Sequence, residues 1–223
     1  RKIQLSSGKP PIYDRTSLKL SENEKKEYEE KGHRPHYRFL IEDKEISWQD
    51  MIKGPITYHG SHLSDPVIIR ADGTMTYMLC STIDDVDSKI THVIRGEDHI
   101  SNTPRQILIL EAIGASRPIY GHIPLILGPD RSKMSKRHGA TSIAQFRDRG
   151  YLPEAIVNYL ALLGWNTGTE KEIFDIEELI KIFDVKKIQK GGAIFDEEKL
   201  KWVNKEHIKK VPLEQTLPII KEI

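Results

Sequence analysis

"ITHVIRGEDHISNTPRQILILEAIGASRPIYGHIPLIL", Ile90 to Leu127, is the stretch on which the fold turns. Its opening, ITHVIRG, is a short β-branched run closed by glycine, which predicts a buried strand. TPRQILILEAIGA follows with Thr103 where a helix cap belongs, Pro104 at the first helical position and Gly114 just past the last turn. GHIPLIL then predicts a second buried strand. Strand, helix and strand in this order make a βαβ unit, so the expected sheet is parallel and its crossover right-handed. Ligands of such sheets sit beyond the carboxyl ends of the strands. Two polar segments fall there, RGEDHIS (Arg95–Ser101) and GPDRSKMSKRHG (Gly128–Gly139).

The composition sets bounds on what these segments do. The chain has 223 residues, 38% hydrophobic and 30% charged, which suits one or two globular domains. Its net charge is only +1, so any nucleic-acid binding has to come from local patches. Cys80 is the single cysteine, which excludes a disulfide framework and any multi-cysteine site, so no zinc is expected. The sequence has no apolar run of about 18 residues and no signal peptide; no membrane association is expected and a reducing, cytoplasmic setting is. It opens on RKIQLSSGKPPIYDR without an initiator Met and stops in mid-pattern at LPIIKEI, which reads as a fragment.

Upstream of the βαβ unit, residues 1 to 74 read as irregular α+β. Ser21 and Glu24 form a capping-box pattern, and Gly32 ends a short charged helix. YRFLI (Tyr37–Ile41) and EISWQDMI (Glu45–Ile52) predict short strands near an Asp43-Lys44 turn. DPVIIRADGTMTY predicts a hairpin about Asp72-Gly73. YMLCSTIDDV has Leu79, Ile83 and Val86 at helical spacing. Downstream the chain reads as helical. Thr141 or Ser142 caps IAQFRDRG, and Pro153 opens PEAIVNYLALLG, whose Ile156, Leu160 and Leu163 share a face. DIEELIKIF and DEEKLKWVNKEHIKK each begin with acids after an Asp cap.

The chemistry concentrates in the cationic loop, where Arg131, Lys133, Lys136 and Arg137 lie within seven residues. Lysines on a loop at a sheet's carboxyl edge suit a polyphosphate, because they can neutralise charge that develops as a nucleophile attacks. The plainer reading of such a run is solvated surface. The order Lys-Met-Ser-Lys-Arg resembles the second signature of class I aminoacyl-tRNA synthetases. Its flanks, HVIRGEDHISNTPRQ upstream and RHGATS with GYLPEAIVNYLALLGW downstream, are similar to bacterial-type glutamyl-tRNA synthetases, and the similarity runs through the whole chain.

That resemblance implies an α/β fold: the second half of a class I Rossmann-like nucleotide-binding fold with an inserted α+β acceptor-binding domain and a C-terminal helical stem-contact domain. Residues 1–74 then correspond to part of the acceptor-stem-binding insertion, 75–127 to the second half of the nucleotide-binding catalytic domain, and 128–223 to the signature loop and helical domain. It implies that glutamate is attached to its tRNA through glutamyl-adenylate, using ATP with Mg2+, in a cytoplasmic enzyme that is monomeric as a whole. The family's first signature and its anticodon-binding domain have no counterpart here, so a catalytically incomplete chain is expected. His59 and His62 do not replace that first signature. The alternatives are a glutaminyl-tRNA synthetase or a tRNA-modifying glutamyl paralogue and, from another class, a tRNA- and ATP-binding module without catalysis.

Residue by residue, the resemblance gives Lys136 and Lys133 catalytic and ATP-phosphate contacts, and it puts Met134 and Ser135 on the same ATP-binding loop. Asp98 and His99 are implied beside the nucleotide. Arg95, Tyr77 and Ser81 are implied around the side-chain carboxylate of glutamate. A planar two-pronged donor suits that task for Arg95; the structural alternative is an internal salt bridge to Glu97 or Asp98. Asp84 and Asp85 are adjacent on a helix and point about 100° apart, which favours a bracing role over a metal pair. His92 reads as a core histidine. Lys9, Arg15, Arg34, Arg147, Arg149, Lys186, Lys187 and Lys190 are candidate tRNA phosphate contacts.

Overall fold

Capping sets the first helix. In the computed structural model, which describes residues 6, 8, 12–134, 142–212 and 214, α1 (Glu22–Glu30) begins with a complete capping box. The Ser21 side chain accepts from the Glu24 N–H and the Glu24 carboxylate accepts from the Ser21 N–H, which satisfies two of the helix's unpaired donors. Gly32, at φ 81°, follows the last turn as expected.

The chain divides into two compact units, residues 1–121 and 122–223. In the first, strand pairing departs from the sequence expectation. The strand expected over Tyr37–Ile41 is only β1 (Tyr37–Arg38), and its antiparallel partner is β4 (Val67–Ile69). β2 (Glu45–Asp50) pairs instead with β3 (Gly54–His59), a strand that no local signal indicates. Gly54, at φ 86°, makes the tight reversal possible, and the Asp50 carboxylate accepts the N–H groups of Ile52 and Lys53 across it. The hairpin about Asp72-Gly73 is present, with Gly73 at φ 85° and a bridge between Ile69 and Met75.

A second constraint ties these pieces together. Arg15 donates twice to the buried Asp65 carboxylate, at 2.8 and 2.9 Å, and also to the Ile41 carbonyl at 2.6 Å. Asp65 accepts the Ile41 N–H as well. Arg15, expected as a tRNA contact, is thus an internal clip, because a buried carboxylate needs its cation. Gly60 is equally fixed, since a Cβ there would lie 1.9 Å from the Glu42 carbonyl oxygen.

The βαβ order appears as α2 (Tyr77–Asp87), β5 (His92–Gly96), α3 (Thr103–Ala112) and β6 (Ile119–Ile123). β5 lies beside β6, and the Ile119 N–H donates to the Thr91 carbonyl. Ile107 and Leu108 of α3 pack with Ile41, Ile46, Leu63 and Tyr120 into the core. Fully burying one such aliphatic side chain contributes about 1.5–3 kcal/mol. Four expectations need correction. β5 is not buried on both faces: Ile94 is 52% exposed, and His92 is an exposed histidine, not a core one. One covered face is all that the packing of α3 requires. Thr103 is inside α3 and not its cap, because a 3-10 turn (Glu97–Asn102) runs straight into the helix. GHIPLIL is interrupted at Pro124, giving β6 and the separate β7 (Ile126–Leu127).

In the second unit β7 pairs in parallel with β8 (Ala193–Ile194). α4 (Ile143–Asp148), α5 (Pro153–Leu162), α6 (Ile176–Ile182) and α7 (Glu197–Ile208) follow the predicted caps: Ser142, Asp175 and Asp196 each accept from a first-turn N–H. The face that α5 buries is Ala155, Ile156 and Tyr159, against Leu200 and Val203 of α7. Leu160 is 43% exposed, so the expected stripe is rotated away from it. Asn158 joins three segments here. Its amide donates to the Glu172 carbonyl, and its oxygen accepts the Phe174 N–H and lies 2.9 Å from His207 Nε2. That nitrogen is therefore the protonated one in the neutral ring.

Burial holds the His207 imidazole below its ordinary pKa, so the folded chain binds this proton less readily than the unfolded chain. The stabilisation is complete above the ordinary histidine value of about 6.5 and is lost as pH falls below it. Thermal unfolding followed between about pH 7.5 and about pH 5.5 should show a falling midpoint, with a flatter dependence in His207→Gln. Gly60→Ala should cost about 2–3 kcal/mol, read as a lower urea midpoint with unchanged slope.

Candidate functional site

The end of β5 puts Arg95 at the centre of a polar cluster within the first unit. One guanidinium nitrogen donates to the Thr103 hydroxyl at 2.8 Å and to the Gln106 carbonyl oxygen at 2.7 Å. The guanidinium also lies 5.7 Å from the centre of the Tyr120 ring. Thr103 and Gln106 are one helical turn apart on α3, so both reach the same cation. On its other side Gln106 donates from its amide nitrogen to Ser81 on α2 at 2.9 Å.

Tyr77, at the start of α2, lies with its ring 5.7 Å from that of His99, which sits on the 3-10 turn after β5. Asp98, the preceding residue, is exposed on the same turn. Glu97 forms an ion pair with Lys53, which fixes the start of the turn against the β2–β3 reversal. Asp85, on α2, is partly buried, and that burial raises its pKa against the opposing pull of the Arg95 charge. Burial pushes the Tyr120 phenol up to about 12, so it stays neutral.

Arg95 and Ser81 are thus joined through Gln106, and Tyr77 lies against His99 on the turn that follows Arg95. Thr103, Gln106 and Tyr120 were missed. The signal for Gln106 was available: it is the polar residue heading the apolar run QILIL of a buried helix, where an amide is costly unless bonded. The cluster offers a fixed, planar cation flanked by hydroxyls, suited to a carboxylate.

Lys133 and Met134 belong to the second unit, on a tight reversal after β7. Leu127 bridges Lys133, and the Met134 N–H returns to the Ile126 carbonyl at 2.9 Å. Asp130 accepts the Ser132 N–H and hydroxyl inside the reversal, and Arg131 adopts φ 60°. Lys133 is exposed. Ser135 and Lys136 lie outside the described residues, as does Lys9. Of the candidate RNA contacts, Arg147 pairs with Asp148 and Arg149 with Glu197. Arg34 lines a cleft of about 750 Å³ in the first unit with Tyr28, His33, Tyr37 and Arg38.

A mixed helix-and-strand chain with a fixed arginine at the end of a strand has a known counterpart. Residues 1–202 match the family described as tRNA synthetases class I (E and Q), catalytic domain, and the chain belongs to that family. The glutamate–tRNA ligase of Thermodesulfovibrio yellowstonii is 46% identical over 221 residues, which are 99% of this chain and 46% of that protein. The glutamate–tRNA ligase of a Synechococcus species is 48% identical over 213 residues, 95% of this chain and 44% of that protein. A crystal structure of a glutamate tRNA ligase from Elizabethkingia meningosepticum, in complex with its amino acid, superposes with a TM-score of 0.86 at 35% identity, covering 100% of this chain and 49% of that one. The chain spans about half the length of the relatives it matches.

The Lys53–Glu97 pair makes the 3-10 turn testable. Lys53→Met should loosen Glu97–Asn102 by about 1–2 kcal/mol, so amide hydrogen exchange there should quicken roughly five- to thirtyfold while α3 keeps its protection.

Proposed function

We propose that the full-length protein attaches glutamate to its tRNA in two steps. The α-carboxylate of glutamate attacks the α-phosphate of ATP, forming glutamyl-adenylate and releasing pyrophosphate. A terminal ribose hydroxyl of the tRNA then attacks the glutamyl carbonyl and releases AMP. The observation that carries this reading is Arg95, fixed at the end of β5 by Thr103 and Gln106, with Ser81 bonded to the same Gln106. Such a fork recognises the side-chain carboxylate of glutamate by paired, charge-assisted hydrogen bonds.

Asp98 and His99, on the turn beside this cluster, serve the nucleotide: the carboxylate accepts from ribose hydroxyls and the imidazole packs or bonds nearby. Lys133 and Lys136 follow the ATP phosphates, with Met134 and Ser135 contributing loop backbone. Their flexible stems suit charge that moves during the reaction. Magnesium arrives with ATP as part of the substrate. In domain terms, residues 1–74 form part of the acceptor-stem insertion, 75–127 the second half of the nucleotide-binding fold, and 128–223 the signature loop and helical stem-contact domain. The cleft at Arg34 gives the insertion cationic and aromatic groups of the kind that hold RNA. A monomeric, cytoplasmic enzyme is consistent with these substrates and with a single cysteine.

The test is glutamate-dependent exchange between ATP and pyrophosphate in the full-length protein with cognate tRNA present. Lys136→Ala should lower the rate by a factor on the order of 100–1,000. Undiminished exchange in that variant would remove the loop from phosphate binding. No exchange with glutamate in the unaltered protein would overturn the reading itself.

A further inference from the structure

The glutamate reading uses Arg95 and Ser81 and leaves unexplained the buried amide that joins them. An arginine side chain has only donors, so the Gln106 atom 2.7 Å from it has to be the carbonyl oxygen. The amide nitrogen is then turned toward Ser81, 2.9 Å away, and a nitrogen that only donates obliges the serine oxygen to accept. A serine hydroxyl has a single proton. Gln106 occupies the oxygen side, which leaves the proton as the part of the Ser81 hydroxyl that Gln106 does not engage. Donor and acceptor chemistry thus fixes the direction of every bond from Arg95 to Ser81.

We propose that Gln106 is a positioning residue that sets the polarity of the carboxylate site, holding the Arg95 fork in place and committing the Ser81 hydroxyl to donate to the same ligand. This inference rests on the proposed glutamate reading and deepens it. Donors from both Arg95 and Ser81 are matched by a carboxylate, which has only acceptors. A carboxamide satisfies one of them with its oxygen and turns its NH2 against the other donor. Gln106 therefore acts in discrimination between an acid and its amide without touching either.

Two substitutions separate this from a merely structural role. Gln106→Glu puts an acceptor on both sides, so that Arg95 and the Ser81 proton are drawn inward and away from substrate. Gln106→Met keeps the length, fits the apolar helix and removes both bonds. In the full-length protein, steady-state ATP–pyrophosphate exchange would be measured with glutamate and with glutamine, alongside thermal unfolding. Gln106→Glu should raise the KM for glutamate by roughly 10–150-fold, the effect of one charge-assisted hydrogen bond, while kcat and the KM for ATP change by less than about threefold. Gln106→Met should raise it about tenfold, and Ser81→Ala similarly. In all three the preference for glutamate over glutamine should shrink about tenfold.

If the unaltered protein activates glutamate and both Gln106 variants keep its KM and its preference, the polarity assignment is wrong and the glutamate reading stands. A shift in Ser81→Ala alone overturns the part given to Gln106. An equal loss for glutamate and ATP marks a structural role and also overturns it. Should Gln106→Glu fail to fold, Gln106→Met decides. No glutamate activation by the unaltered protein would overturn both readings together.

Discussion

The cluster depends on one requirement, that the guanidinium of Arg95 be held still at the end of a strand. Arginine on its own is a long side chain whose rotamer freedom costs up to about 2 kcal/mol to restrict. The fold restricts it with three elements at once: β5 supplies the backbone, α3 supplies Thr103 and Gln106 one turn apart, and the Tyr120 ring lies under the cation. Gln106 carries the constraint on to α2 through Ser81. Two helices and a strand are thus tied by one polar chain; beside it, burial raises the Asp85 pKa against the pull of Arg95 and keeps the Tyr120 phenol neutral.

The rest of the first unit supports that arrangement. Lys53 and Glu97 anchor the turn that follows Arg95, while the Arg15–Asp65 clip holds the connection between Ile41 and the strand that leads into α2. Both are ion pairs with at least one poorly exposed partner, where losing one member costs more than the pair contributes, because a stranded charge remains. Such pairs specify where segments lie, which matters for a cluster assembled from residues 77 to 120.

What the sequence made legible follows the range of the interaction. The capping box at Ser21, the Asp175 cap, a cap at Thr141 or Ser142, the proline starts of α3 and α5 and the Asp72-Gly73 hairpin are decided within a few residues and were readable as written. The β1–β4 and β7–β8 pairings were not, because they depend on which distant edge is left open, and β7 meets β8 across more than sixty positions; β2–β3 is local but its reversal at Asp50–Gly54 carries no standard turn signature. His92 and Leu160 were misplaced for a related reason: a β-branched run or a helical stripe shows that one face is apolar, not how much of it a neighbour covers. At the site, Arg95, Tyr77, Ser81 and His99 came from a resemblance and were found together. Gln106 could be noticed as an anomaly in an apolar helix, but its partners come from two other elements and no local pattern contains them.

The proposed chemistry divides along the same line between fixed and flexible groups. Recognition of a carboxylate by a planar fork demands position to within a fraction of an ångström, so its residues sit on regular elements and lock one another's donors and acceptors. Charge on a phosphate chain spreads and shifts during attack and departure, so a lysine on a long stem serves better than a locked group. Lys133 fits that second role, exposed at the end of a reversal whose base is pinned by Met134 and Asp130. The anchoring of the reversal limits where the lysine starts, not where its ammonium can reach. A chain that spent its buried polar contacts on the phosphate loop and left Arg95 mobile would lose the fixed fork on which the proposed recognition depends; here the buried Gln106 helps to hold that fork.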